Sequence, residues 1–265
     1  MRKQVAAAML AGMTMLAESS ALADGMPRGS VKDVPVAVPT WSGFYLGAGL
    51  GYGHLIAKNR YNEVSSDFPG GFASSFDGEG ASGGFGTVVL GFDRQIRDRY
   101  VVGLFTEFDW SSIEISYQDT LTPEQTFRVD RTFSLGARGG FLLTQTSLLY
   151  LTGGYSWSHG KNNGYFDIES IEAIDGTFAG KRTLTLQGPF VGIGMETLLG
   201  RNLSLRGEVR YTMYDDKVTN TFNGTGAFSG EPLSFSDRFE GNLLTGRIAL
   251  TYKFNRDEPR AEPIK

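Results

Sequence analysis

The chain contains no cysteine, which excludes a disulfide scaffold, a thiolate zinc site, an iron–sulfur cluster and a cysteine nucleophile. Histidine is nearly as scarce, with only His54 and His159 available for metal binding or general-base work. Basic residues do not outnumber acidic ones: 25 Lys+Arg against 29 Asp+Glu leave a net charge of −4. Duplex affinity rests on cations neutralising phosphates, so no nucleic-acid partner is expected. Long hydrophobic runs are missing too. A mean hydropathy of −0.18 is too polar for a bundle of membrane helices, yet 40% apolar and 12% aromatic content is too hydrophobic for a disordered chain. What is abundant is glycine, 36 of 265 residues, about twice its usual share of roughly 7% and without a collagen period.

The amino terminus reads as an export signal. Arg2 and Lys3 precede an apolar stretch from Val5 to Leu16, and Ala21-Leu22-Ala23 offers small residues for cleavage after Ala23. An apolar stretch of that length falls short of the roughly 20 residues needed to span a bilayer as a helix. Residues 1–23 are therefore expected to be a signal peptide. Residues 24–40, with Pro27, Pro35 and Pro39, read as a periplasmic leader. The folded region is expected over 41–254, followed by a polar tail at 255–265.

From Trp41 onward the hydrophobic period is two. Phe44, Leu46, Ala48, Leu50 and Tyr52 share one face, and Gly47, Gly49, Gly51 and Gly53 the other. The same alternation sets Leu104, Phe108 and Trp110 against Glu107 and Asp109. It sets Phe133, Leu135, Ala137 and Phe141 against Ser134, Gly136, Arg138 and Gly140, and Leu205, Val209, Tyr211 and Met213 against Arg206, Glu208 and Arg210. In the last strand Ile248, Leu250, Tyr252 and Phe254 oppose Arg247 and Lys253. With weaker runs at about 83–93, 148–158 and 183–197, eight strands are predicted. Pro189 predicts a bulge or a local loss of pairing.

Long polar connections (58–82, 118–126, 160–182, 216–238) alternate with short turns (94–99, 143–147, 199–202). Long and short ends thus sort to opposite rims. This predicts an all-β fold: an eight-stranded antiparallel transmembrane β-barrel with long outer loops and short periplasmic turns. Alternation alone does not say which face points inward; a soluble barrel would bury the apolar one. The glycine face decides it, because a row of glycines suits a crowded interior better than a solvated surface. Aromatic residues gathered toward strand ends match the interface girdles of such barrels.

Arginine at mid-membrane on the lipid face costs about 2–4 kcal/mol, so the strand arginines are expected in the lumen, paired with acids. The expected network is Glu107, Asp109, Arg138, Arg206, Glu208, Arg210 and Arg247, a plug that satisfies the core rather than a gated ion path. A hairpin centred between residues 122 and 123 sets Glu107 opposite Arg138. One centred between 227 and 228 sets Glu208 opposite Arg247.

Trp41-Ser42-Gly43-Phe44-Tyr45-Leu46-Gly47, followed by Gly49, Gly51 and Tyr52, resembles the first strand of the small outer-membrane β-barrel "porin family" surface antigens, akin to opacity proteins and the membrane domain of OmpA-type proteins. The segment from Thr245 to Phe254 resembles their terminal strand. The resemblance covers roughly residues 41–254. It implies that Gly246, Ile248, Leu250, Tyr252 and Phe254 carry the signal read by the barrel-insertion machinery, and that the location is the outer membrane of a Gram-negative bacterium. The family usually ends at the terminal aromatic, whereas here Asn255 to Lys265 follows.

Arg128, Arg131, Lys181, Arg182 and Arg238 fall near the predicted outer rim, where they can meet lipopolysaccharide phosphates. Asp167, Glu169, Glu172 and Asp175 offer carboxylates to divalent cations with no fixed ligand geometry. Gly78-Glu79-Gly80-Ala81-Ser82-Gly83 matches G-x-G-x-x-G, but a strand follows it where a dinucleotide site needs a helix. Ser158 and His159 invite comparison with barrel enzymes that modify lipid A, yet adjacent strand residues point to opposite faces. The function expected is a structural, envelope-stabilising surface protein with host or matrix contact through its loops. The alternatives are a narrow porin or small-ligand receptor of the haem type, and a lipid A modifying enzyme. No enzymatic activity and no cofactor are expected, and a monomer is the expected state.

Overall fold

The computed structural model describes residues 40–65, 72–117, 125–163, 176–180, 183–215, 217–225 and 232–254. The expected signal peptide, all but the last residue of the leader, the C-terminal tail, Lys181, Arg182 and the four loop acids lie outside the described residues. Ten strands are described: β1 (Gly43–Ser65), β2 (Phe72–Ile96), β3 (Tyr100–Tyr117), β4 (Gln125–Leu142), β5 (Ser147–Asn163), β6 (Gly176–Gly180), β7 (Thr183–Leu198), β8 (Leu203–Met213), β9 (Lys217–Thr225) and β10 (Pro232–Lys253). Eight of them, in the order β1-β2-β3-β4-β5-β7-β8-β10, form an antiparallel sheet that closes by pairing β10 with β1. At the short-turn rim the amide of Phe254 donates to the carbonyl of Phe44 at 2.8 Å, so the first and last strands meet there.

The barrel is polar inside and apolar outside. Leu50 is 74% exposed, and Leu104, Leu151 and Ile248 are more than 60% exposed, while Glu107, Arg138, Arg206 and Arg210 are at most 3% exposed. A water-soluble barrel would invert this, so the outward belt is a lipid-facing surface. Outward aromatics group toward both ends of the crossing. Phe44–Phe92, Tyr100–Phe141 and Tyr252–Phe254 lie at the short-turn end, and Phe108–Trp110, Phe133–Trp157 and Tyr155–Trp157 toward the other.

The glycine face of β1 lets its neighbours in. The ring of Phe85 lies where a side chain at Gly51 would stand, and Ile113 Cδ1 would be 2.6 Å from a Cβ on Gly53. The opening Trp41-Ser42-Gly43 turns the chain into the barrel mouth. Gly43 has φ +138°, Ser42 Oγ accepts from the Gln95 amide at 3.0 Å, and Trp41, 1% exposed, donates its indole N–H to the Gln145 carbonyl at 3.2 Å.

The expected long outer loops are largely strand. A crossing takes about 9–11 residues, but β1 has 23, β2 25 and β10 22, and the turns at the other rim are short. The surplus therefore projects outward. β1 pairs with β10 as far as Ser65↔Leu233 and with β2 as far as Glu63↔Phe72; β9 lines the other side of β10, and β6 pairs with β9. Outside the membrane these form a sheet in the order β2-β1-β10-β9-β6. Gly78 to Gly83 lie within β2, so the G-x-G-x-x-G match is strand, not a phosphate loop. Pro189 keeps register with Tyr155 of β5, but the ladder from β7 to β8 ends one residue away, at Phe190↔Thr212. This is the loss of pairing expected of a residue without an N–H.

Candidate functional site

Two charge layers fill the lumen. In the middle layer Glu107 on β3 accepts from Arg210 at 2.6 Å and Arg247 at 2.8 Å and lies 3.4 Å from Arg206. Glu208 pairs with Arg206 and, at 2.7 Å, with Arg210. Asp109 pairs with Arg247 at 3.4 Å. Three arginines thus meet three carboxylates. In the second layer, nearer the short-turn rim, Arg138 pairs with Asp93 and, at 2.8 Å, with Glu196. Lys253 joins the same two acids at 2.9 and 3.1 Å. Two cations therefore meet two anions. Each layer balances its own charge, which a desolvated site requires.

Aromatic rings separate and cap the layers. The Arg138 guanidinium lies 4.7 Å from the Tyr45 ring centre, Arg210 4.1 Å from Phe190 and Arg247 5.1 Å from Phe85. Tyr150 links the layers: its hydroxyl accepts from Arg206 Nε at 2.8 Å and donates to Glu208 at 3.2 Å in the middle layer, and its ring lies 5.2 Å from the Arg138 guanidinium of the second. Beyond the middle layer, hydroxyls pair as Ser134–Ser156 at 2.8 Å, Thr132–Ser158 at 2.7 Å and Ser158–Tyr214 at 2.6 Å. The outer end is then filled by an apolar cluster that includes Leu55, Ile113, Val129, Leu186 and Leu243. The short-turn end is filled by Trp41, Val101, Leu142, Leu148 and Tyr150. Between the middle layer and the apolar cluster, among Asp109, Thr132, Ser134, Ser156, Arg247 and their neighbours, a cavity of about 10 Å³ remains. That is space for about one water.

All seven lumen residues expected from the sequence face this interior, but their partners differ. Arg247 is in register with Glu208 on the ladder of β10 and β8, though its bonds run across the lumen to Glu107 and Asp109. The expected pairing of Glu107 with Arg138 does not form. Glu107 lies opposite Ser134, and Arg138 opposite Gly103, because β3 and β4 turn about residue 121, between Tyr117 and Gln125. Arg138 accordingly belongs to the other layer. Sequence reasoning missed Asp93, Glu196 and Lys253. Lys253 had been placed on the correct face, and the parity of Glu196 in β7 was available but obscured by an irregular apolar pattern.

Ser158 and His159 stand on opposite sides of the wall. Ser158 is buried in the lumen among hydroxyls, whereas His159 Nδ1 donates outward to Asp130 at 2.9 Å. Gly246, Ile248, Leu250, Tyr252 and Phe254 share the outward face of the terminal segment, with Ile248 63% exposed. Of the expected rim cations, Arg128 and Arg131 lie at the outer end of β4. Arg238 stands opposite Arg60 on the projecting sheet.

No family model matches the chain. The 31 kDa outer-membrane immunogenic protein of Brucella melitensis biotype 1 is 27% identical over 248 residues, which covers 91% of this chain and 95% of that protein, and that of Brucella suis biovar 1 matches equally. Among solved structures, outer membrane protein OprG from Pseudomonas aeruginosa is 11% identical, with a TM-score of 0.42 over 81% of this chain and 97% of that one. Neisserial surface protein A is 16% identical, with a TM-score of 0.38 over 80% and 98%. With its apolar belt outside and its balanced charges inside, this chain, similar in sequence to the two Brucella outer-membrane proteins, is an eight-stranded antiparallel β-barrel of the outer membrane.

Proposed function

We propose that the protein is a non-conducting surface barrel that stabilises the envelope and makes contacts with host or matrix through the part projecting outside the membrane. The observation that carries this reading is the filled lumen. Two neutral ion-pair layers and two apolar end clusters leave a cavity for about one water, so the surfaces available to partners are the outer sheet and the rim. A narrow porin or haem-type receptor would need interior space, and this lumen supplies none of that size among the described residues. The outward row from Gly246 to Phe254 fits recognition by the insertion machinery during assembly, and the outward belt fits a monomer surrounded by lipid.

The test separates barrel from sheet. Residues 58–79 are replaced by a short hairpin turn, and folding is checked by the gel mobility of unboiled and boiled protein. Envelope integrity is read from detergent sensitivity of the cells, and contact from adhesion of cells to immobilised matrix proteins. The reading predicts a folded barrel, retained envelope resistance and lost adhesion. Unchanged adhesion would remove the contact role, and unchanged resistance in a complete deletion strain would remove the structural one.

A further inference from the structure

Just outside the aromatic belt, the outward faces of β4 and β5 carry Arg128, Arg131, His159 and Lys161. A bulge between Val129 and Arg131 inserts Asp130 into β4 as an extra residue. Its carboxylate becomes a hub: it accepts from His159 at 2.9 Å, lies 3.3 Å from Lys161 Nζ and 3.8 Å from Arg131 Nε. Arg128 lies directly across the ladder from Lys161, with Glu114 on its other side. Among the described residues, Asp130 is the carboxylate that pairs with Arg131, Lys161 and His159, and the like-charged Arg128 and Lys161 stand cross-strand, where they repel. The Arg131 and Lys161 side chains are more than half exposed, so their charge is presented outward. Phe133 and Trp157, two residues inward along the same strands, pair at 5.8 Å as part of the aromatic belt. The cations therefore stand at headgroup height, on the side of the membrane from which the long strands project.

We infer that Arg128, Arg131 and Lys161, ordered by Asp130 and flanked by His159, bind the phosphate of a phosphorylated glycolipid of the outer leaflet. A phosphate between Arg128, Arg131 and Lys161 relieves their repulsion, and a planar guanidinium engages it bidentately. The apolar belt immediately below takes the acyl chains, which selects a lipid-borne phosphate over the free ion. Arg238, expected at this rim, is six positions beyond Leu244 on β10, about 20 Å further out at strand rise. It stands opposite Arg60 of β1, and β1, β2 and β3 separate its strand from β4, so Arg238 cannot join this site. The assignment rests on the outer-membrane reading above, which supplies the leaflet.

The full chain, folded in a neutral maltoside detergent, is incubated with bis-phosphorylated lipid A, with the same glycolipid after dephosphorylation, and with inorganic phosphate. Bound glycolipid is counted by native mass spectrometry. The expected result is lipid A retained at one per barrel, the dephosphorylated glycolipid released, and inorganic phosphate failing to displace lipid A at equal concentration. Arg131→Ala and Lys161→Ala are each expected to weaken retention about tenfold, while Arg238→Ala leaves it unchanged. Equal retention by the double variant, or equal retention of both glycolipids, would overturn the site, as would displacement by inorganic phosphate. Gel mobility before and after boiling is run on every sample. A wild-type chain that never gives a folded, heat-modifiable band counts against the barrel itself, and a folded barrel that retains no lipid A counts against this site alone.

Discussion

Arg247 of β10 and Glu107 of β3, 140 positions apart in the chain, meet across the lumen, Nη1 to Oε2 at 2.8 Å. Glu107 also binds Arg210 and Arg206, so one carboxylate ties β3 to two other strands. Glu107→Gln leaves three arginines with two carboxylates in a desolvated layer. The expected loss is about 3–5 kcal/mol, the range for breaking a buried pair from one side. It is read as a lower urea midpoint for unfolding from lipid vesicles, with no new conductance. An unchanged midpoint would show that the layer does not hold the barrel.

The inner layer makes a separable prediction. Lys253→Met removes one cation and leaves Asp93 and Glu196 with Arg138 alone, so a loss of similar size is expected. Glu107→Gln and Lys253→Met act in different neutral layers and should add within about 0.5 kcal/mol, as independent sites do. A strongly non-additive double variant would mean that the layers, bridged by Tyr150, act as one network.

Trp41 closes the mouth at the short-turn end. Trp41→Ala opens a large void there and is expected to cost about 3–5 kcal/mol. The checkable outcome is a lower temperature at which the folded band on a gel converts to the unfolded one. Ser42 and Gly43 remain in this variant, so an effect of this size belongs to the ring.

Two glycines test what the glycine-rich face is for. A Cβ on Gly51 runs into the Phe85 ring, whereas one on Gly207 meets nothing within 4 Å. Gly51→Ala should destabilise, and Gly207→Ala should be neutral or gain about 0.5–1 kcal/mol from reduced backbone freedom in the unfolded chain. Equal effects in urea titrations would contradict the packing account.

The barrel was legible in the sequence because each crossing segment has a lipid face and a lumen face, and that contrast writes itself as period two. Arg206, Glu208 and Arg210 against Leu205, Val209 and Tyr211 suffice to orient β8. The projecting parts of β1, β2 and β10 were not legible. Strands with water on both sides carry no apolar alternation, so Ser74, Ser75, Asp77 and Glu79 read as loop although they pair with β1. Register was recovered where a hairpin centre could be guessed, as for Glu208 and Arg247. It failed for Glu107 and Arg138, where an error in the loop centre, together with a bulge between Trp110 and Ile113, moved the pairing by four residues. Asp93 was missed because it lies beside an inner turn, where little alternation remains, and Lys253, though placed on the lumen face, was assigned no partner.

The terminal row adds a kinetic prediction. Tyr252 and Phe254 face outward and bond nothing in the lumen except through backbone, so their joint replacement by alanine should slow assembly by purified insertion machinery more than it lowers the urea midpoint. Slowed assembly with an unchanged midpoint supports a recognition role, and parallel losses in both would assign the row to stability alone.

Conductance across a planar bilayer tests the sealed lumen most directly. With the wild-type chain inserted at neutral pH, the account predicts no resolved channel steps, because every path meets the Leu55–Leu243 cluster, two paired charge layers and Trp41. Reproducible steps of steady size that disappear when lumen residues such as Glu107 or Arg210 are altered would contradict it.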